Sequence, residues 1–182
     1  MPRSARLSRE EWAEAALAVL VEGGPGAVAV EPVAARLGAS KSSFYWLFDN
    51  RRALLLAALE CWERRQTEEI VPVLAEIADP GERLRFLVEA AFAATESGDL
   101  ALRLLTEAED EVVRPVVERV TARRLAVIAG SFEELGLPPA AARDRAAAAY
   151  SVYLGTAALA RIGAAPTDRS GYVASVLAAL MP

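Results

Sequence analysis

Residues 38–52 read GASKSSFYWLFDNRR, and this stretch predicts the fold of the first third of the chain. Gly38 supplies the conformational freedom that a tight turn needs. Ser40 is a natural N-cap, so residues 41–47 can form a short helix. Another short helix, with Pro32 near its first turn, precedes the glycine. A helix, a glycine turn and a capped helix together predict a helix-turn-helix unit.

The amino end of this third helix carries groups that suit a DNA duplex. Serine hydroxyls, a lysine ammonium and backbone N–H groups can meet phosphates and base edges. Phe44 and Phe48, four residues apart, would lock the helix onto the two preceding helices. A core aromatic cluster is the alternative interpretation, but the Ser-Lys-Ser-Ser leader favours DNA, with a phenol and an indole donating to phosphates. The side chains predicted to meet the duplex here are Ser40, Lys41, Ser42, Ser43, Tyr45 and Trp46.

The same segment resembles the recognition region of the TetR-type transcriptional repressors, over roughly residues 7–59. The residues that carry the resemblance are Gly38, Ser40, Phe44, Tyr45, Phe48, Asn50, Arg51, Ala53 and Leu54. It implies that Lys41, Ser42 and Ser43 contact bases or nearby phosphates, and that the two aromatic side chains that follow Phe44 clamp the backbone. It further implies a phosphate contact for Arg51, where the family usually has a lysine and where arginine adds a fork.

Three residues depart from the family pattern. Ala29 stands where a threonine commonly caps the second helix and touches phosphate, so that contact is in doubt. Leu47 stands where a family member has a base-contacting histidine, and Asp49 replaces a residue that is often neutral or basic. These changes bear on which sequence is read more than on whether DNA is read.

Composition limits the class of protein. The chain has 182 residues, of which 54% are hydrophobic, which is ample for a sizeable core. No apolar run reaches the roughly 18 residues that span a bilayer, and no secretion signal is evident, so a cytoplasmic protein without membrane contact is expected. Cys61 is the only cysteine and histidine is absent, which weighs against most enzymes and metal sites. We expect no catalytic residues, no metal and no cofactor.

Net charge gives weak support for DNA binding. The chain carries −5 overall, with +1 over residues 1–52 and −6 over residues 53–182. Phosphate binding normally uses clustered Lys and Arg, so the first segment is a faint electrostatic footprint.

The remaining chain has helical patterns throughout. A capping box at Ser8 and Glu11 starts the first helix, and the fourth runs from Asn50 to Ile70, with a break expected at Pro72. Later helices are predicted over residues 80–98, 100–108, 110–135, 139–162 and, capped by Thr167, 167–180. The predicted fold is all-α, with about nine helices. A three-helix helix-turn-helix DNA-binding domain (residues 1–51) precedes a helical domain for effector binding and dimerisation (residues 52–182).

The last two helices have wide apolar faces rich in small residues, which allow close helix approach and often mark a partner surface. Burial within one subunit is the alternative. A helix-turn-helix unit usually needs a two-fold partner, and the resemblance implies a homodimer through a four-helix bundle. The interface residues predicted are Ala149, Tyr153, Ala157, Tyr172, Val176 and Leu180.

The resemblance also implies an effector pocket enclosed by the middle helices. Large side chains there are candidates for its wall, although ordinary core positions are the alternative. The ligand-binding residues predicted are Trp62, Phe86, Phe92, Leu105, Tyr150 and Tyr153, and Arg103, Glu107 and Arg123 are candidates for polar recognition.

These patterns predict a ligand-responsive repressor that binds a palindromic double-stranded DNA operator as a homodimer and is released by a small, mainly apolar effector. Two alternatives remain open. One is a helical dimeric interaction protein with lost or weak DNA binding. The other is an enzyme in which the acidic run Glu107, Glu109, Asp110 and Glu111 holds a cation.

Overall fold

A computed structural model describes residues 7–93 and 95–181, with side chains described outside residues 93–98. Throughout these residues the regular structure is helical, as predicted. The helices are α1 (Arg9–Gly23), α2 (Val30–Leu37), α3 (Lys41–Tyr45), α4 (Arg51–Glu63), α5 (Ile70–Ala75), α6 (Pro80–Ala93), α7 (Thr95–Thr106), α8 (Val113–Glu134), α9 (Pro139–Arg161) and α10 (Arg169–Leu180). The first six residues of the predicted amino-terminal domain lie outside the described residues. With α4, the π-helical turn after it and α5 taken as one bent segment, the described chain has nine helices.

The ends of the first helices follow the predicted caps. Ser8 forms the capping box with Glu11, whose backbone N–H donates to the Ser8 hydroxyl over 3.2 Å. Gly38 has a φ of 62°, in the left-handed region that favours glycine. Ser40 caps α3 by accepting a hydrogen bond from the Ser43 backbone N–H. The α3 helix is shorter than predicted and ends at Tyr45.

An aromatic cluster holds α3 on α1, as predicted for Phe44 and Phe48. The two rings stack with centroids 5.5 Å apart, and Trp12 of α1 lies 5.5 Å from Phe44. The Arg9 guanidinium sits over the Phe48 ring at 4.4 Å and donates to the Leu47 carbonyl over 2.8 Å. The orientation of the short third helix therefore depends on buried rings rather than on its own length.

The fourth predicted helix is interrupted before Pro72. It ends at Glu63, a π-helical turn covers Arg64–Glu68, and α5 begins at Ile70. The predicted break at Pro72 is wrong, because this proline lies in the first turn of α5, where a backbone N–H has no partner within the helix.

Three other predicted ends are corrected. The predicted end at Gly98 and the predicted start at Leu100 are not found, because α7 (Thr95–Thr106) runs through both positions. The last helix is capped by Asp168 rather than by its neighbour Thr167, since the Asp168 carboxylate accepts the Gly171 N–H over 3.0 Å. A carboxylate is an equally good cap at this position, so the sequence pattern does not separate the two.

Two hydrophobic cores organise the molecule. The first joins α1 to α4 with α7 and the amino half of α8. The second joins α6, α9 and α10 with the carboxyl half of α8. Because α8 contributes to both, the helix-turn-helix unit is packed directly on the helices that follow it. None of the helices in the described residues is long and apolar enough to cross a bilayer.

Candidate nucleic-acid interface and ligand cavity

The end of α3 presents two large aromatic side chains to solvent. Tyr45 is 67% exposed and Trp46 is 76% exposed, whereas Phe44 beside them is completely buried. Burial of Phe44 fixes the backbone, and its two neighbours necessarily point away from the core. Such exposure of aromatic rings with polar N–H and O–H groups is typical of a surface that meets a partner.

Lys41, the only lysine of the chain, is held by an acidic partner from α2. Its ammonium lies 2.6 Å from a Glu31 carboxylate oxygen, and both side chains are more than half exposed. The hydrogen bond and charge of Glu31 raise the pKa of Lys41, and the hydrogen bond from Lys41 lowers the pKa of Glu31. Both groups are therefore charged at neutral pH, and a phosphate must compete with Glu31 for this ammonium.

The serines of α3 form a local hydrogen-bond network. The Ser43 hydroxyl donates to the Ser40 carbonyl over 2.6 Å, and the hydroxyls of Ser40 and Ser42 lie 2.8 Å apart. Ser43 is thereby committed to the helix start, whereas Ser42 is exposed. Among the predicted serines, Ser42 is the one whose hydroxyl is best placed to exchange its partner for a base or phosphate.

Arg51, at the start of α4, is bound to the preceding part of the chain. Its Nε donates to the Val28 carbonyl over 2.6 Å, and one Nη donates to the Pro25 carbonyl over 2.5 Å. This fork clasps the short 3-10 turn at Pro25–Ala27 between α1 and α2. The phosphate contact that the resemblance implies for Arg51 stays a prediction. In the structure this side chain stabilises the turn between α1 and α2.

A cavity of about 260 Å³ lies beneath the helix-turn-helix unit, enclosed by the π-helical turn and by helices α5, α6, α8, α9 and α10. Its wall is almost entirely aliphatic and aromatic. Apolar pockets with a few convergent polar groups are the usual form of small-molecule sites, which commonly measure about 300 to 1,000 Å³. At about 260 Å³ this cavity is slightly smaller than that range of pocket volumes, so it would suit a small ligand.

Half of the predicted ligand-binding residues line this cavity. Phe92, Tyr150 and Tyr153 do so. The other three do not line it: Trp62 is buried in the first core, Leu105 packs against that core, and Phe86 is 38% exposed. Size and apolarity in a sequence do not separate a cavity wall from ordinary core, because both are built from the same side chains.

The polar candidates named from the sequence also lie outside this cavity. Arg103 is paired with Asp99 over 2.9 Å, and Arg123 is exposed. Glu107 likewise is not part of the cavity wall.

Sequence reasoning missed the polar end of the cavity, where Arg124 meets the π-helical turn. The Arg124 Nε donates to the Thr67 hydroxyl over 3.0 Å, and one Nη donates to the Gln66 carbonyl over 3.1 Å. Its guanidinium lies 5.3 Å from the centre of the Trp62 ring. Burial raises the pKa of Tyr153, whose hydroxyl also faces Arg124. No local pattern marks Arg124, because its partners are 57 and 58 positions away.

The interface residues predicted on α9 and α10 lie on the inner side of these helices. Ala149, Tyr153, Val176 and Leu180 line the cavity, and Ala157 is buried in its own subunit. Tyr172 packs on Phe92 with ring centroids 5.3 Å apart. The outer side carries a different, mostly small set, which we call the outer face: Ala147, Ala148, Ser151, Gly155, Ala158, Leu159 and Ile162 of α9, and Ala174, Ser175, Ala178 and Ala179 of α10.

Comparison with known proteins shows which families this chain is similar to. Residues 13–58 match the family model described as bacterial regulatory proteins of the tetR family. The chain is thus similar to the tetR family over this amino-terminal stretch. An uncharacterised HTH-type transcriptional regulator of Mycobacterium tuberculosis is 29% identical over 82 residues, which are 45% of this chain and 41% of that protein. The match therefore spans less than half of the length of this curated relative.

Solved structures of transcriptional regulators share the fold over nearly the whole chain. FadR of Bacillus subtilis in complex with stearoyl-CoA is 18% identical, with a TM-score of 0.73 over 96% of this chain and 98% of that chain. A transcriptional regulator of Saccharomonospora viridis in complex with choline is 21% identical, with a TM-score of 0.75 over 94% of this chain and 92% of that chain. Identities this low show the fold alone.

Two residues of the acidic run that was considered as a cation site have other contacts in the structure. The Asp110 carboxylate accepts the backbone N–H groups of Val112 and Val113, over 2.7 and 3.2 Å, in the turn that leads into α8. Glu111 pairs with Arg52 over 2.8 Å. In the described part of the chain, no group of three or more acidic, cysteine or histidine side chains is arranged to hold a metal.

Proposed function

We propose that this chain is a cytoplasmic transcriptional repressor of the TetR family that binds a palindromic operator as a homodimer and is released by a small, mainly apolar effector. The observation that carries the proposal is the exposed Tyr45 and Trp46 pair, held beside the serine and lysine leader of α3 by a buried Phe44. Residues 1–51 act as the DNA-binding domain and residues 52–182 as the domain for effector binding and dimerisation.

On DNA, α3 enters the major groove with its amino end towards the bases. Ser42 and Lys41 meet base edges or adjacent phosphates, and the two exposed aromatic side chains donate to the backbone on either side. Two copies of α3, related by a two-fold axis, read half-sites about 34 to 36 Å apart. The homodimer forms through the outer face, because burial of its small side chains allows the backbones of four helices to approach closely.

Effector binding in the cavity opposes operator binding. The π-helical turn that lines the cavity is part of the segment that continues α4, and α4 packs against α1 of the DNA-binding domain. A ligand that favours a shifted position of this segment changes the distance between the two copies of α3. Reciprocity requires that DNA weaken the effector by the same factor, with a coupling of typically about 1 to 3 kcal/mol.

Selection of bound duplexes from a random pool tests the proposal. A recovered palindrome with half-sites one duplex turn apart supports a dimeric operator binder. Lys41→Ala and Tyr45→Ala should each weaken binding to that duplex in gel shifts while the dimer stays intact. Binding that is equally tight in both variants would contradict the assignment of α3. Recovery of no sequence, with no salt-dependent binding to random duplex, would favour the interaction protein without DNA binding.

A further inference from the structure

We infer that the effector of this cavity carries an anionic head, a carboxylate or a group of similar chemistry, that binds Arg124, with a short apolar body in the remainder of the cavity. This inference rests on the proposed function, since it names the class of ligand for the same cavity. An anionic head gives the ligand a charge and a fixed orientation in the cavity, and neither of these follows from the apolar wall alone.

The first argument is the composition of the wall. Arg124 is the single charged side chain among the described residues that line the cavity, and Gln66 and Thr67 beside it are neutral. The rest of the wall consists of alanine, aliphatic, methionine and aromatic side chains, of which only the two tyrosines carry a hydroxyl. A ligand is therefore offered one cationic end and one long apolar surface.

The second argument is the set of partners that Arg124 has. Its hydrogen bonds go to the Thr67 hydroxyl and the Gln66 backbone carbonyl, both neutral acceptors. The other charged groups of the π-helical turn do not line the cavity: Arg64 and Arg65 pair with Glu10 and Glu14 of α1, and Glu68 is exposed to solvent. The positive charge at the cavity is thus left for a ligand to balance, and Coulomb attraction is strong where apolar walls lower the local dielectric.

The third argument is geometry. Contacts with Thr67 and Gln66 fix one edge of the guanidinium, and the Trp62 ring lies alongside it. A planar fork held this way is pre-organised for a carboxylate, which it can bind with two parallel hydrogen bonds. The Tyr153 hydroxyl lies at the same end and can donate to the same oxygen. A cationic ligand head placed there would be repelled.

Calorimetric titration of the full-length protein with three probes of equal chain length tests the inference. The probes are octanoate, octan-1-ol and octyltrimethylammonium, which share an eight-carbon chain and carry an anionic, a neutral and a cationic head. We expect octanoate to bind at least about tenfold more tightly than octan-1-ol, the factor that corresponds to a charge-assisted hydrogen bond, and octyltrimethylammonium to bind least. Equal affinities for the three probes, or no binding of octanoate, would overturn the inference.

Substitutions on α8 identify the residue responsible. Arg124→Gln should remove the preference for octanoate while leaving the affinity for octan-1-ol unchanged, and Arg124→Lys, which keeps the charge, should retain part of it. The matched control is Arg123→Gln, an exposed neighbour outside the cavity wall, which should behave as the unsubstituted protein. If Arg124→Gln binds octanoate as tightly as the control, Arg124 is not the anchor and the inference fails.

Measurements of operator binding distinguish a failure of this inference from a failure of the proposed function on which it rests. If octanoate binds through Arg124 and the operator complex stays intact, release of the operator by an effector is contradicted. The inference that the ligand has an anionic head is then still supported. Octan-1-ol that releases the operator as well as octanoate does would support the proposed function and overturn the anionic head.

Discussion

Phe44 and Tyr45 are adjacent in the chain but differ in burial, since Phe44 is buried and Tyr45 is exposed, so they separate stability from binding. Phe44→Ala removes a fully buried ring from the aromatic cluster and should lower the free energy of unfolding by about 3 to 5 kcal/mol. Tyr45→Ala removes a side chain that is 67% exposed and makes an edge-to-face contact with the Phe44 ring, so it should lower the free energy of unfolding by no more than about 1 kcal/mol. Denaturant unfolding measures both variants. Comparable losses of stability in the two would mean that Tyr45 belongs to the core.

The Lys41–Glu31 pair predicts a gain of DNA affinity on removal of an acidic side chain. Glu31→Gln frees the ammonium and removes a negative charge near the phosphates, so operator affinity should rise a few-fold and depend more steeply on salt. Fluorescence anisotropy with labelled operator at several salt concentrations measures both effects. Glu134→Gln is the control, because Glu134 is also an exposed partner in an ion pair but lies on α8. An unchanged salt slope would show that Lys41 does not meet phosphate.

Single residues also show why part of the site was predictable and part was not. The inward side of α3 follows from the four-residue spacing of Phe44 and Phe48, a local signal. Arg51 donates to backbone carbonyls that are 23 and 26 positions earlier in the chain. Arg124 donates to the hydroxyl of Thr67, which is 57 positions earlier. Such contacts depend on how helices meet, which no short pattern in one sequence encodes.

Among the helices, the caps were the most predictable features and the interruptions the least. Ser8, Ser40 and Asn50 cap their helices as expected, because a side-chain oxygen before a run of helix-forming residues acts locally. The π-helical turn at Arg64–Glu68 has no such signal, since its residues are ordinary helix formers. Isolated π-helical turns are often found at functional sites, and this one touches both the cavity and α1.

That turn predicts a way to uncouple effector from operator. Gln66 and Thr67 bind Arg124 at the cavity, and Arg64 and Arg65 bind Glu10 and Glu14 of α1. The double variant Arg64→Ala, Arg65→Ala should still bind effector and operator separately, because it alters neither site. The coupling between them, typically about 1 to 3 kcal/mol, should fall towards zero.

Operator release by octanoate, titrated in the double variant, measures this loss. Arg85→Ala is the control, since Arg85 forms an exposed ion pair with Glu82 within α6. Undiminished release in the double variant would show that the signal reaches α1 by another route.

Taken as a whole, the molecule turns one side of α9 and α10 inward and leaves the other side without a described partner. The sequence could not decide between these sides, because α9 is alanine-rich around its whole circumference and an apolar period is hard to read in such a helix. The interface was predicted at large side chains, among them Tyr153, Tyr172 and Val176. In the structure these side chains pack inside the subunit. The outer face keeps the residues that suit close packing between two copies, with Leu159 42% exposed and Ile162 77% exposed at its end.

The outer face therefore predicts which substitutions separate the subunits. Gly155 has open space around its Cα, and Ala158 is exposed one turn further along α9, so arginine at either position should fold normally. In a dimer built on this face, each arginine would be buried between the subunits without an acidic partner on the outer face, and its desolvation would oppose association. Sedimentation equilibrium should show monomers for Gly155→Arg and Ala158→Arg.

Ala126→Arg supplies the control for these two variants, because it adds the same side chain at an exposed position of α8 and should remain dimeric. Operator binding adds a second measurement. A monomer holds one copy of α3, so it should lose the affinity that depends on both half-sites while its fold, followed by circular dichroism, is kept. If the arginine variants remain dimeric and bind operator as the control does, the subunits meet through another surface, and the spacing of the two recognition helices is set elsewhere.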